Sequence, residues 1–236
     1  MKAGKVLFAC ALGLLSASAA VADPKPETST YGARTTNLPL PVSLDTLPAV
    51  TRDALTKVMK SPTITALAPA EEFVAHADMY HWLLDHPDRT SQAWRKLGVT
   101  AAELKPLKDG RFVWRDTTGS EVVWQTIATG PTGRIWYAEG KVKPAALSPT
   151  IPVTAVAVLT HLETPRAAGG VTIKQQVEVF LCTDSKAAAL VMKALGDNAP
   201  KMAQNGAEQV LMFFSGIAKY THDKPEKAQT LFDEKK

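Results

Sequence analysis

The chain changes its hydrophobic period twice. From Asp45 to Lys60, Leu47, Val50, Ala54 and Val58 fall at helical spacing and predict a short amphipathic helix. Ser61 to Ala66 reads as a short strand, with Ile64 between two threonines. Pro69 to Leu84 predicts a helix: proline suits the first helical position, Glu71 and Glu72 suit the positive end of the dipole, and Phe73, Ala77, Tyr80 and Leu84 form the stripe. A break at Asp85-His86-Pro87 precedes a second helix to about Leu97, capped by Gly98. Thr100 to Glu103 has the pattern of a capping box and predicts one more short helix.

From Arg111 the period becomes two. Strands are predicted at Arg111 to Asp116, Glu121 to Thr129, Arg134 to Val142, Val153 to Leu162 and Val171 to Thr183, with turns at Thr117-Thr118-Gly119 and Gly130 to Gly133. In the last strand Ile173, Val177, Val179 and Leu181 share one face and Lys174, Gln176 and Glu178 the other, which suits an antiparallel sheet with one wet face. Helical spacing then returns. Ser185 to Leu195 predicts a short piece. Asn198 caps a long helix with Pro200 in its first turn and a stripe of Ala203, Ala207, Val210, Phe214 and Ile217. Thr221 to Lys236 is charged and is expected to fray.

Helices and strands are segregated along the chain, which predicts an α+β fold. The expected form is an antiparallel sheet of about five or six strands, preceded by helices and closed by a long C-terminal amphipathic helix. The order resembles the START-like helix-grip architecture over Ser61 to Tyr220: a strand at Thr63 to Ala66, two helices broken at Asp85 to Asp88, a meander and a closing helix. Against that architecture the chain shows one strand fewer and an added helix at Ser185 to Leu195. The resemblance implies a lipid or other apolar molecule held between the sheet and the last helix.

The N-terminus carries a separate signal. Lys2 and Lys5, the apolar stretch Val6 to Leu15 and the small residues ending Ala20-Val21-Ala22 have the order of a secretory signal peptide, with cleavage near Ala22. The stretch is shorter than the roughly 20 apolar residues of a membrane span. Export to the periplasm or outside the cell is therefore expected, with residues 23–44 a flexible leader, 45–220 a single domain and 221–236 a charged tail. Removing Lys2 and Lys5 takes the formal charge from +4 to +2. Without a basic cluster, this argues against a nucleic-acid partner. Cys10 leaves with the signal, so Cys182 stands alone in the mature chain, a core residue rather than a nucleophile.

Two groups of residues are candidates for function. His76, Asp78, His81, Asp85 and His86 form the densest polar group. His76 and His81 point about 140° apart on a helix, so the group reads as a solvated face and no metal site is assigned. Trp114, Trp124 and Trp136 sit on successive strands, where core packing is favoured over a binding platform. No nucleophile elbow, phosphate loop or zinc spacing is present, no cofactor is expected, and a non-catalytic protein is favoured over an enzyme. The taper of the last helix from Ala203 and Ala207 to Val210 and Phe214 leaves room for an apolar ligand. Trp124 and Tyr137 are expected to line that room if the strand register permits. The alternative is a structural or interaction module of the cell envelope with a filled core and no small-molecule ligand.

Overall fold

The computed structural model describes residues 40–143, 150–184, 186 and 199–233. The signal peptide, the leader as far as residue 39, most of the helix expected at Ser185 to Leu195 and the last three residues lie outside them. After a 3-10 turn at Leu44–Thr46 comes helix α1, Ala49–Lys60. Strands β1, Ile64–Leu67, and β2, Glu71–Ala75, precede helices α2, Ala77–Asp85, and α3, Pro87–Lys96. Strands β3, Leu104–Pro106; β4, Phe112–Arg115; β5, Glu121–Gly130; β6, Gly133–Val142; β7, Ile151–Pro165; and β8, Val171–Thr183, follow. Helix α4, Ala199–Asp223, and helix α5, Pro225–Phe232, close the described chain.

All eight strands form one antiparallel sheet in the order β1-β8-β7-β6-β5-β4-β3, with β2 also on β8. The class is the α+β fold expected, with a long C-terminal helix across one sheet face, but with two more strands than the count of five or six. Both additions overturn a helical expectation. Glu71, Phe73 and Ala75 obey period two as well as a helical stripe, and the open N-terminal half of β8 decides between them: Glu71 pairs with Gln175 and Phe73 with Ile173. The helix begins only at Ala77. The capping-box pattern at Thr100 likewise opens no helix. Pro106 would end it after little more than one turn, and Leu104 pairs instead with Trp114 on β4.

The inner face of the sheet carries the main core. Phe213, Phe214, Ile217 and Ala218 of α4 are fully buried against Ile173, Val177, Leu159 and Trp136 of the strands, together with Tyr80, Leu83 and Leu84 of α2. Helix α3 packs on the back of α4 at a glycine. A Cβ on Gly216 would stand 2.5 Å from the Trp94 ring, so only glycine admits the indole, whose Nε1 donates to the Phe213 carbonyl at 2.8 Å.

The outer face is not uniformly wet. Leu55 and Val58 of α1 cover Ala128, Ile135, Val156, Val158 and Phe180. Leu40, Val42 and Leu44, the last residues of the expected leader, pack against the same patch. Cys182 lies beside it, its thiol donating to the Ser61 carbonyl at 3.4 Å. The segment expected to fray after Thr221 holds the end of α4 and all of α5. There Leu231 is buried, Phe232 meets Trp82 edge-on at 5.0 Å, and Lys96 Nζ donates to the Asp233 carbonyl at 2.6 Å.

Candidate functional site

Five of the six residues predicted to line a ligand site lie together. Ala203, Ala207, Val210 and Phe214 belong to the inner core under α4, and half-buried Trp124 packs against it. Tyr137 does not. Trp124 stands opposite Ala138 and Gln125 opposite Tyr137. Alternation therefore turns Tyr137 to the outer face, where it packs with the α1 patch and its hydroxyl donates to Glu139 at 3.4 Å. The inward position next to it on β6 is Trp136. This indole lies between two aromatic rings: Trp124 at 5.9 Å and 16°, and Phe214 at 5.4 Å and 15°. Phe112 meets Trp124 edge-on at 6.3 Å, so the array runs from β4 to the middle of α4. Trp136 is only 3% exposed, and its Nε1 has no hydrogen-bond partner.

A second, polar cluster occupies the other part of the same face. His161, Gln175 and Glu71 stand in one row across β7, β8 and β2, and Tyr80 on α2 comes down onto it. The Tyr80 hydroxyl donates to Gln175 Oε1 at 2.7 Å. Gln175 Nε2 donates to Glu71 Oε2 at 2.9 Å and to the Leu211 carbonyl at 3.2 Å. Ser215 on α4 donates to Glu71 Oε1 at 3.0 Å. Burial pushes the Tyr80 phenol well above its ordinary value, so it stays protonated and serves as the donor.

Beside this network His81 Nε2 and Glu163 Oε1 lie 2.5 Å apart, and His161 Nδ1 is 3.4 Å from the same oxygen. The His81 and His161 rings are 5.2 Å apart, and Tyr80 is edge-on to His161 at 5.3 Å. His161 is 2% exposed, and neither ring nitrogen makes a hydrogen bond. Burial lowers its pKa from 6.5 to about 4, so it is neutral at pH 7. Next to it the buried guanidinium of Arg134 donates to both carboxylate oxygens of Asp85, at 2.8 and 3.2 Å.

Of the polar group at the start of α2, His76, Asp78, Asp85 and His86 are exposed, as a solvated face requires, but the partners are not all local. His81 turns to β7, Asp85 holds Arg134, and His76 packs edge-on against His222 of α4 at 4.9 Å. His86 keeps to local partners, the Trp82 carbonyl and ring. Sequence reasoning passed over His161 and Glu163. Their signal is a His-x-Glu pair within a strand, which alternation places on one face, but their partner His81 is 82 residues from Glu163 in sequence.

No protein-family model matches the chain, and no curated protein matches it. Among solved structures, a conserved protein from Geobacillus kaustophilus is similar at 11% identity over 67% of this chain and 97% of that one, with a TM-score of 0.45. Truncated norcoclaurine synthase from Thalictrum flavum is similar at 15% identity over 63% of this chain and 93% of its own, with a TM-score of 0.30. The di-domain ARO/CYC BexL from the BE-7585A biosynthetic pathway is similar at 17% identity over 75% of this chain and 52% of its own, with a TM-score of 0.32. Likenesses at these scores carry no activity over to this chain. Among the described residues, no helix is long and apolar enough to cross a membrane.

Proposed function

We infer that the protein is exported and holds an apolar or lipid-like molecule between the sheet and helix α4, without acting on it chemically. The observation that carries this reading is Trp136. Its ring is stacked on both faces inside an aromatic array, yet its buried N–H has no acceptor. Buried donors are nearly always paired, and an unpaired one calls for a water, an ion or a ligand. An amphiphile with an apolar body and one acceptor oxygen would supply what is missing. The small side chains of Ala203 and Ala207 on the same helix favour room beside the sheet, and half-buried Trp124 offers a route from solvent. Apolar sites with a few placed polar groups are the usual form of a small-molecule site. On this reading the chain is a START-like helix-grip protein, made with a signal peptide cleaved near Ala22 and a leader over residues 23–44.

Native mass spectrometry of the secreted protein, before and after organic extraction, tests the reading. Its N-terminus should lie at or near Asp23, and an apolar mass should be removed by extraction. In titrations with a fluorescent fatty acid, Trp136→Phe should keep the stack and weaken binding by up to about tenfold, the worth of one hydrogen bond. Ala207→Trp, checked for folding by circular dichroism, should abolish binding. A protein that carries and binds no amphiphile would instead be a structural or interaction module with a filled core.

A further inference from the structure

We propose that His81, His161 and Glu163 form a binding site for one divalent transition-metal ion of the zinc type, held by two imidazole nitrogens and a carboxylate oxygen. The site stands apart from the aromatic array and does not rest on the apolar-ligand reading.

The donor geometry comes first. One ligand atom from each residue lies within 4.8 Å of the other two. Zinc bonds of about 2.0–2.2 Å at tetrahedral angles set ligand atoms roughly 3.4 Å apart. From Glu163 Oε1, the 3.4 Å to His161 Nδ1 meets that value, whereas the 2.5 Å to His81 Nε2 is a direct hydrogen bond that an ion would replace, the partly exposed His81 and Glu163 side chains moving apart by roughly 0.9 Å. Both ligand-bearing elements are regular. His161 and Glu163 are two positions apart on β7, next to its pairing with β8, and His81 sits mid-helix on α2.

The second observation is the state of His161. It is buried among Tyr80, His81 and the sheet with both ring nitrogens unpartnered. An imidazole nitrogen with no hydrogen-bond partner, 3.4 Å from a carboxylate oxygen and with a second imidazole ring 5.2 Å away, is placed to ligate a metal.

Charge balance supports a cation. The groups around the cluster are the carboxylates of Glu163, Glu71 and Asp85 and the single guanidinium of Arg134. Arg134 is already held by Asp85 through two hydrogen bonds and Glu71 accepts from Gln175 and Ser215, so the partners left to Glu163 are the two imidazoles, which a bound cation would join to it. Imidazole nitrogen with one carboxylate suits zinc and its first-row neighbours, whereas magnesium and calcium prefer oxygen throughout. Three protein ligands leave a fourth position for water or for an oxygen of a bound molecule, the arrangement of reactive rather than purely structural zinc sites. His81 and Glu163 side chains are 35% and 25% exposed, which gives the ion a path from solvent.

The test is metal binding by the purified protein after chelator treatment. Zinc, titrated in competition with a chromogenic chelator, should bind at one equivalent, and cobalt(II) should give the visible absorption of a low-coordinate site. Magnesium should not compete. His81→Gln and Glu163→Gln change partly exposed side chains and should stay folded by circular dichroism. Each should weaken zinc binding by more than the roughly 10–100-fold that loss of a second-sphere partner costs, and each should lose the cobalt absorption. His222→Gln removes the imidazole pair with His76 and should leave zinc binding unchanged. Fluorescent fatty-acid binding by His81→Gln should equal that of the parent, which separates this site from the aromatic one. Absence of stoichiometric zinc binding in the folded parent would overturn the proposal. So would undiminished binding in His81→Gln and Glu163→Gln, or a loss of binding confined to His222→Gln.

Discussion

Helix α4 meets the sheet through two unlike surfaces, and neighbouring residues divide between them. Phe214 stacks on Trp136 and extends an aromatic array toward β5 and β4. Ser215, about 100° round the helix, donates to Glu71 at the head of a buried chain of polar side chains reaching Gln175 and Tyr80. The aromatic part depends on area and shape, so its stability is spread over many weak contacts. The polar part depends on partners, and removing any one of them strands another where water cannot replace it. The same sheet face can therefore offer a tolerant surface for an apolar molecule and a stringent one for an ion.

Truncation separates the two most strongly. Phe214→Ala should lower unfolding stability by about 3–5 kcal/mol, read by urea denaturation, because it empties a fully buried site between two rings. Leu231→Ala on α5 should cost about 2–5 kcal/mol if the C-terminal segment is part of the core, as its burial indicates. A cost near zero would return that segment to the status of a tail. Tyr80→Phe keeps the ring and removes one donor from Gln175 Oε1, and about 1–3 kcal/mol should be lost. If Tyr80→Phe were neutral, the polar part would not be stringent and the contrast would fail.

The pH dependence sharpens the same contrast. His161 has its folded pKa lowered to about 4 from 6.5, so between those values the unfolded chain binds the extra proton. Stability of the metal-free protein should fall as pH drops from about 6.5 to about 4 and show no further loss from this group below that. His161→Gln should flatten that window, whereas Phe214→Ala should shift the whole curve without changing its shape. At the weak end, Lys219→Ala breaks an exposed pair with Asp223 on the solvent side of α4 and should leave the melting curve unchanged.

Much of the fold was legible because local patterns agreed with it. Gly98 has a φ of 78° after α3, the turn at Gly119 a φ of 99°, and β8 spans the residues that alternation assigns. The pattern misled where one segment fitted two periods, at Glu71 to Ala75. It misled again where a start signal had no room to act, at Thr100 to Pro106. In both places a vacant strand edge on β8 or β4 decided the outcome, and an edge is a property of the assembled sheet.

By itself the sequence determined the α+β order, the inward stripe of α4 and the presence of three tryptophans on consecutive strands. It also held the information that His161 and Glu163 share a face, since a strand alternates wherever it is placed. Tertiary structure decided which tryptophan stands beside Phe214, that Tyr137 faces away from it, and that His81 reaches β7. The reason is strand register and the docking of α2. A shift of one residue exchanges the two faces of a strand, and only pairing across the sheet excludes it. Contacts between residues some eighty positions apart arise from the path of the chain in space, which no local spacing records.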